Sequence, residues 1–247
     1  KPGQLSPART AAKWGWGFNH YCNQDLPAAI SFILKDSASD CLHFIGHSMG
    51  GLLLYALAAQ QNNKIKSGIT LGSSLDYSGL PGIFNKLAPL AKLTLLVPFV
   101  PLNAAIKFNG RLSKINPKLI DSSLVSPDNV DIKDFQRLTA NAFHPVSSPV
   151  LRDLSRAITG EGINTDQGIP YNKLLQEQGY PFPILAMSGE ADSQCSPQVA
   201  KRFGTEHLSF GRSYGQKQNY GHHDLIMGKI ALQEVWPHIS QWIEKHD

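Results

Sequence analysis

Short apolar runs, each closed by a glycine or a polar turn, punctuate the chain. They are Cys41-Leu42-His43-Phe44-Ile45, Lys66 to Gly72, Pro183-Ile184-Leu185-Ala186-Met187 and a weaker one near 208–214. Runs of this length between turn signals predict buried strands of a parallel sheet. Gly51 to Gln60 is apolar on every side and predicts a buried helix. Phe18 to Leu34 reads as one helix or two, with Asp25 as N-cap and Pro27 in the first turn. A helix near 197–203 and an amphipathic segment from Leu225 to Ile243 follow the later strands. Residues 1–16 read as loop. Residues 75 to about 178 lack strand–helix alternation and read as helices and loops. The pattern predicts an α/β fold, a mostly parallel sheet flanked by helices, interrupted by a helical insertion.

The stretch Leu87 to Phe108 is long and greasy enough to raise a membrane span. Pro89, Pro98, Pro101 and Lys92 argue against one, because prolines break helices and a central charge is costly in lipid. A buried helix pair in the insertion is the expectation. A lid whose apolar underside lines an acyl pocket is the functional alternative.

The first strand and the helix after it enclose Gly46-His47-Ser48-Met49-Gly50. A serine between two such elements must sit on a sharp turn. Glycines at 46 and 50 are expected because side chains there would clash across it. The turn lifts the Ser48 hydroxyl above the sheet, and the Met49 N–H beside it is half of a site for an oxyanion. His47 is assigned a packing role.

A serine hydroxyl is a weak nucleophile without a base, and the base is best a histidine oriented by a buried acid. Asp192 and Glu190 both lie just past the 183–187 run, where parallel sheets collect their ligands. Asp192 is the expected acid, set against a helix N-cap role, and Glu190 is read as a solvated loop charge. His222, in Tyr220-Gly221-His222-His223-Asp224, is the expected base, with His223 the rival and Asp224 capping the helix or fixing the loop. His20, His43, His144, His207, His238 and His246 are read as surface or packing residues. A His222-His223-Asp224 metal site is weak, because adjacent residues rarely point at one ion.

These segments together resemble the α/β-hydrolase superfamily, in its lipase and esterase branch, close to the acid lipases. The likeness rests on Asp25 through Gly51, on Pro183 through Asp192, and on Tyr220-Gly221-His222-His223-Asp224-Leu225-Ile226-Met227-Gly228. Ser147 to Tyr171 is similar to the branch's cap, less specifically. The resemblance implies Ser48 as nucleophile, His222 as base, Asp192 as orienting acid and hydrolysis through an acyl-enzyme, with no cofactor. The implied division is 1–74 hydrolase core with the elbow, 75–178 helical cap, and 179–247 hydrolase core with the acid and histidine loops. The expected substrate is a small-molecule ester or lipid with an apolar acyl group. An acyltransferase or peptidase built on the same residues, or a non-catalytic binding protein of this fold, are the alternatives.

The chain departs from the family upstream. There a strand and loop well before the elbow supply the second oxyanion N–H, and residues 1–24 contain no such unit. With Lys1 in first place, the expectation is a fragment or processed chain lacking the N-terminal part of the sheet. Such a chain should be poorly soluble and nearly inactive, whereas an upstream-extended version should turn over esters.

Composition adds limits. The 247 residues suffice for one sizeable core. A net charge of +4 without a basic run or basic–aromatic patch argues against nucleic acid as a partner. Cys22, Cys41 and Cys195 make no disulfide framework, which favours a reducing compartment such as the cytoplasm, and Cys41 is expected to be a buried thiol. No transmembrane span is expected, and transient contact with a lipid surface stays open.

Overall fold

The computed structural model describes residues 14–79, 97–116 and 120–247. A helical turn at Phe18–His20 and a π-helical stretch at Tyr21–Asp25 run directly into helix α1 (Leu26–Ser37). Asp25 therefore already has helical backbone (φ −69°, ψ −48°), and its side chain caps nothing. The expected cap is corrected here, since a helix continuing from upstream has no free N-terminal amides at this point.

Next come β1 (Leu42–His47), α2 (Met49–Ala59) and β2 (Ile65–Leu71). After β2 the chain makes β3 (Phe99–Val100), α3 (Leu102–Ile115), α4 (Ile132–Asn141), β4 (Val146–Ser147), α5 (Ser148–Thr159) and α6 (Tyr171–Gln178). It then returns through β5 (Ile184–Gly189) and β6 (Glu206–Phe210) to α7 (Asp224–Met227) and α8 (Trp236–Lys245).

The main sheet has the order β1-β2-β5-β6 and is parallel throughout. All four C-terminal strand ends thus lie along one rim. The central strands β2 and β5 are almost wholly buried, as strands covered on both faces should be. Helix α2 is buried along its length from Gly51 to Ala59. It can lie this close because β2 carries Gly68, where a methyl would come within 2.6 Å of Leu54. The opposite face of the sheet is covered by α8 through Trp242.

Between β2 and β5 the described residues are mainly helical, with a two-residue antiparallel ladder of β3 on β4 that the sequence pattern did not predict. It has its own apolar cluster of Leu124, Val125, Val130 and Phe135. Of the greasy stretch 87–108, residues 87–96 lie outside the described residues. Its far end is not buried, since Phe108 on α3 is 61% exposed. Among the described residues no helix is long and apolar enough to cross a membrane.

Several other expectations shift. β1 lies at an edge of the sheet, and its Ile45 is 48% exposed instead of buried. Cys41 precedes the strand and is only partly buried. The last strand occupies Glu206–Phe210, not 208–214, because its partner β5 ends where Gly189 pairs with Phe210. The segment from Leu225 to Ile243 is three helical pieces, separated at Gly228 and again ahead of Pro237, which cannot continue a helix.

Candidate active site

Ser48 links β1 to α2 with φ 54° and ψ −122°, a backbone that L-residues rarely adopt. Such a conformation costs on the order of 1–3 kcal/mol and persists only where its surroundings over-determine it. They do so here. Ser48 N donates to the Leu71 carbonyl (2.9 Å), and Gly51 N donates to the Ser48 carbonyl (2.9 Å). The Ser73 hydroxyl, 2.7 Å from that same carbonyl, braces it from β2's end.

Gly46 is required as expected, because a methyl there would run into the backbone of Gly50 and sit 2.6 Å from Gly51 N. Gly50 is a correction. Nothing lies within 4 Å of a methyl placed on it. The crowding falls one residue later, at Gly51, whose methyl would strike Ser73. The turn packs against the end of β2, and Gly51 is the residue that faces it. Met49 opens α2, so its N–H has no acceptor within the helix.

Three sequence-predicted residues converge on the rim. His222 Nε2 lies 2.8 Å from Ser48 Oγ, and His222 Nδ1 lies 2.8 Å from Asp192 Oδ2. Asp192 and His222 are 3% and 2% exposed. With Nδ1–H donating to the carboxylate, Nε2 is left as the acceptor for the serine O–H. Asp192 Oδ1 accepts from the backbone N–H of Gln194 (2.8 Å) and Cys195 (2.9 Å). Asp192 caps no helix, as Ser196 is the N-cap of the turn at Pro197–Ala200. Glu190 is tied to the Ser213 N–H and hydroxyl, which hold its carboxyl below the ordinary range, and it does not reach His222.

The neighbouring histidines are kept neutral. His47 Nε2–H donates to the His222 carbonyl (2.9 Å), and its ring lies tilted by 50° against the His222 ring, 4.7 Å away. Burial, then the proximity of His222, pushes its pKa down to about 4. His47 therefore does more than pack: it fixes the backbone of the His222 loop. His223 turns away to meet Phe143 edge-on (5.5 Å) and is pushed down to about 2, first by burial, then by the two other rings.

Asp224 is fully buried and fixes the loop. It accepts from Gly221 N (2.8 Å), Ser126 N (3.1 Å) and Asn129 Nδ2 (3.0 Å). Burial raises its pKa in spite of those bonds. His222, His223 and Asp224 thus face three different partners, and among the described residues no group of three or more His, Cys, Asp or Glu is placed to hold a metal ion.

Gly72 was not singled out by the sequence. At φ +60°, it follows the last residue of β2 beneath Asp192 and His222, and a methyl there would lie 2.9 Å from Asp192 Oδ2 and 3.0 Å from His222 Nδ1. The available signal was a Gly72-Ser73-Ser74 turn at the same rim as the elbow.

The model of the α/β hydrolase fold family matches residues 3–228. The gastric triacylglycerol lipase of Bos taurus is 27% identical, over 92% of this chain and 64% of that protein. Lipase member N of Mus musculus is 24% identical, over 94% of this chain and 65% of that protein. The chain thus spans just under two thirds of the length of these curated relatives. Among solved structures, a thermostable carboxyl esterase from Bacillus coagulans superposes with a TM-score of 0.59 at 15% identity, covering 93% of this chain and 72% of that one. A monoacylglycerol lipase from Paleococcus ferrophilus gives 0.55 at 16%, covering 91% and 76%. At such identities the structures speak to fold alone, and with the family match over most of the sequence they lead to one conclusion: the chain belongs to the α/β-hydrolase fold family.

Proposed function

We propose that this protein is a serine hydrolase of carboxylic esters with apolar acyl groups, working through an acyl-enzyme. The observation that carries the reading is the unbroken line Ser48 Oγ–His222–Asp192, with both spacings at 2.8 Å. Ser48 attacks the acyl carbonyl while His222 Nε2 takes its proton. Asp192 stays ionised and steadies the imidazolium through Nδ1. The Met49 N–H, beside the charge that develops on the carbonyl oxygen, is one oxyanion donor. His222 then protonates the leaving alcohol, the alcohol departs, and the acyl group remains on Ser48. Water, deprotonated by His222, releases the acid and restores the serine.

The substrate class draws support from the lipases among the relatives, one of them named for acting on triacylglycerol. In this reading residues 1–74 and 179–247 form the hydrolase core and the insertion 75–178 carries the cap, with α5, α6 and the link between them packed into the core through Ala157, Ile163, Tyr171 and Leu175. Exposed Phe108 and Ile115 (61% and 82%) beside Lys107 and Arg111 on α3 suit passing contact with a lipid surface.

A fluorophosphonate probe on the full-length protein tests the reading. The expected result is one adduct on Ser48, absent in Ser48→Ala, with ester turnover in that variant reduced about a million-fold. A chromogenic ester series should show rates rising with acyl length. A folded protein that takes no label, or that hydrolyses only acetyl esters, overturns it.

A further inference from the structure

One segment of the insertion is bonded to both loops that carry the acid and the base. The Ser123 carbonyl accepts from Gln194 Nε2 (2.7 Å), two residues beyond Asp192. The Leu124 carbonyl accepts from His223 N (2.9 Å), and the Asn129 carbonyl accepts from Lys229 N (2.8 Å). Ser126 N and Asn129 Nδ2 both donate to the Asp224 carboxylate (3.1 and 3.0 Å). Approach is so close that a methyl on Gly221, the residue before His222, would lie 2.7 Å from Ser126 N. Asn129 and Asp224 are both wholly buried. A buried carboxylate with three N–H donors is held far more firmly than a surface loop.

We propose that residues 123–129 act as a positioning strap, with Asn129 and Asp224 as the positioning pair that sets His222 against Ser48 and Asp192. The inference rests on the nucleophile–base reading above. Neither residue touches the reacting atoms. Asp224 acts through Gly221 N, one peptide from His222, and Asn129 acts through Asp224. A displacement of about 1 Å at the base costs on the order of a hundredfold in rate.

The test uses Asn129→Asp, which sets two carboxylates face to face, and the swapped pair Asn129→Asp with Asp224→Asn, which restores one N–H···O bond in the opposite sense. Melting temperature, kcat, KM and the rate of Ser48 phosphonylation are read for each at mildly alkaline pH. In Asn129→Asp, kcat and phosphonylation should fall about a hundredfold with KM unchanged. The swap should recover both to within about threefold. Wild-type kcat in Asn129→Asp, or a swap that melts like wild type yet stays slow, overturns the inference. Should Asn129→Asp fail to fold, Asn129→Leu removes the donor at similar volume. There a kcat loss at constant KM supports the pair, and an unchanged kcat overturns it. A wild-type chain that takes no phosphonate fails one step earlier, at the nucleophile reading itself.

Discussion

The Asp192 loop and the His222 loop reach the same rim of the sheet, but the balance of local and distant bonds that hold them differs. Asp192 is fixed by amides two and three residues ahead of it, at Gln194 and Cys195. That is a local turn in which the carboxylate folds back on its own backbone. The His222 loop is fixed from far away. His47 grips its carbonyl across 175 residues, and Ser126 and Asn129 hold Asp224 across 98 and 95. The difference is one of degree: the Asp192 carboxylate is placed by its own turn, with one distant tether at Gln194, whereas the His222 loop adds to its local Gly221–Asp224 bond several bonds from far along the chain. Loosening the insertion should therefore misplace the base first.

The comparison can be broken most sharply at the acid. Asp192→Asn keeps the shape of the local turn but loses the charge that orients the imidazole, and kcat should fall about 10⁴-fold in a protein that still folds. Chromogenic ester kinetics alongside a melting curve would check this. A loss below about tenfold would mean that distant bonds alone orient His222.

Gly72 lies under both residues, so Gly72→Ala strains both sides at once. It adds a positive-φ penalty of on the order of 1–3 kcal/mol and should cost about a hundredfold in kcat. Urea melts and kcat together read the two effects. Full activity would show that the rim has room that the geometry denies.

His47→Phe removes the donor to the base loop while keeping a ring, and kcat should drop about tenfold, since one neutral hydrogen bond contributes roughly 1 kcal/mol. The same variant carries a pH signature. In the unfolded chain His47 titrates near its ordinary value of 6.5, but in the folded chain only at about 4. Between those values the unfolded state binds the extra proton. Stability owed to neutral His47 is thus complete above pH 6.5 and is lost as pH falls toward about 4. Urea melts across that window should show wild type losing more stability than His47→Phe. Parallel losses would mean that His47 protonates freely in the fold.

What could be read from sequence follows the same division. The meeting of Ser48, Asp192 and His222 was legible because each sits beside an apolar strand or ahead of a helix, in an order that a parallel sheet turns into proximity. Gly46 was legible because its crowding is internal to the turn. Gly50 was misread, since the clash that matters is between Gly51 and Ser73, just past the end of β2, which no local pattern reveals. Asp25 was misread because a cap depends on whether the helix has already begun. Gly72 and the strap were missed for the strap's own reason: their partners lie across the sheet or about a hundred residues away. The His47 bond to His222 was invisible in the same way.

The sheet order has one more consequence. The chain leaves the sheet at the end of β2 and returns at β5, and these two strands are neighbours, with Gly68 paired to Ile184. For the sheet the long excursion between them is a detour that ends where it started. Helices α3 and α4, which pack on each other, can change surface chemistry without moving any strand, whereas α5 and α6 join the core beside α2 through Ala157, Tyr171 and Leu175; on the proposed function, substrate preference can drift in the former while the site stays put. Residues 123–129 escape that freedom. On the proposed function they are where a change of substrate would reach His222, and so where an exchange of this region between related proteins should be cut around instead of through.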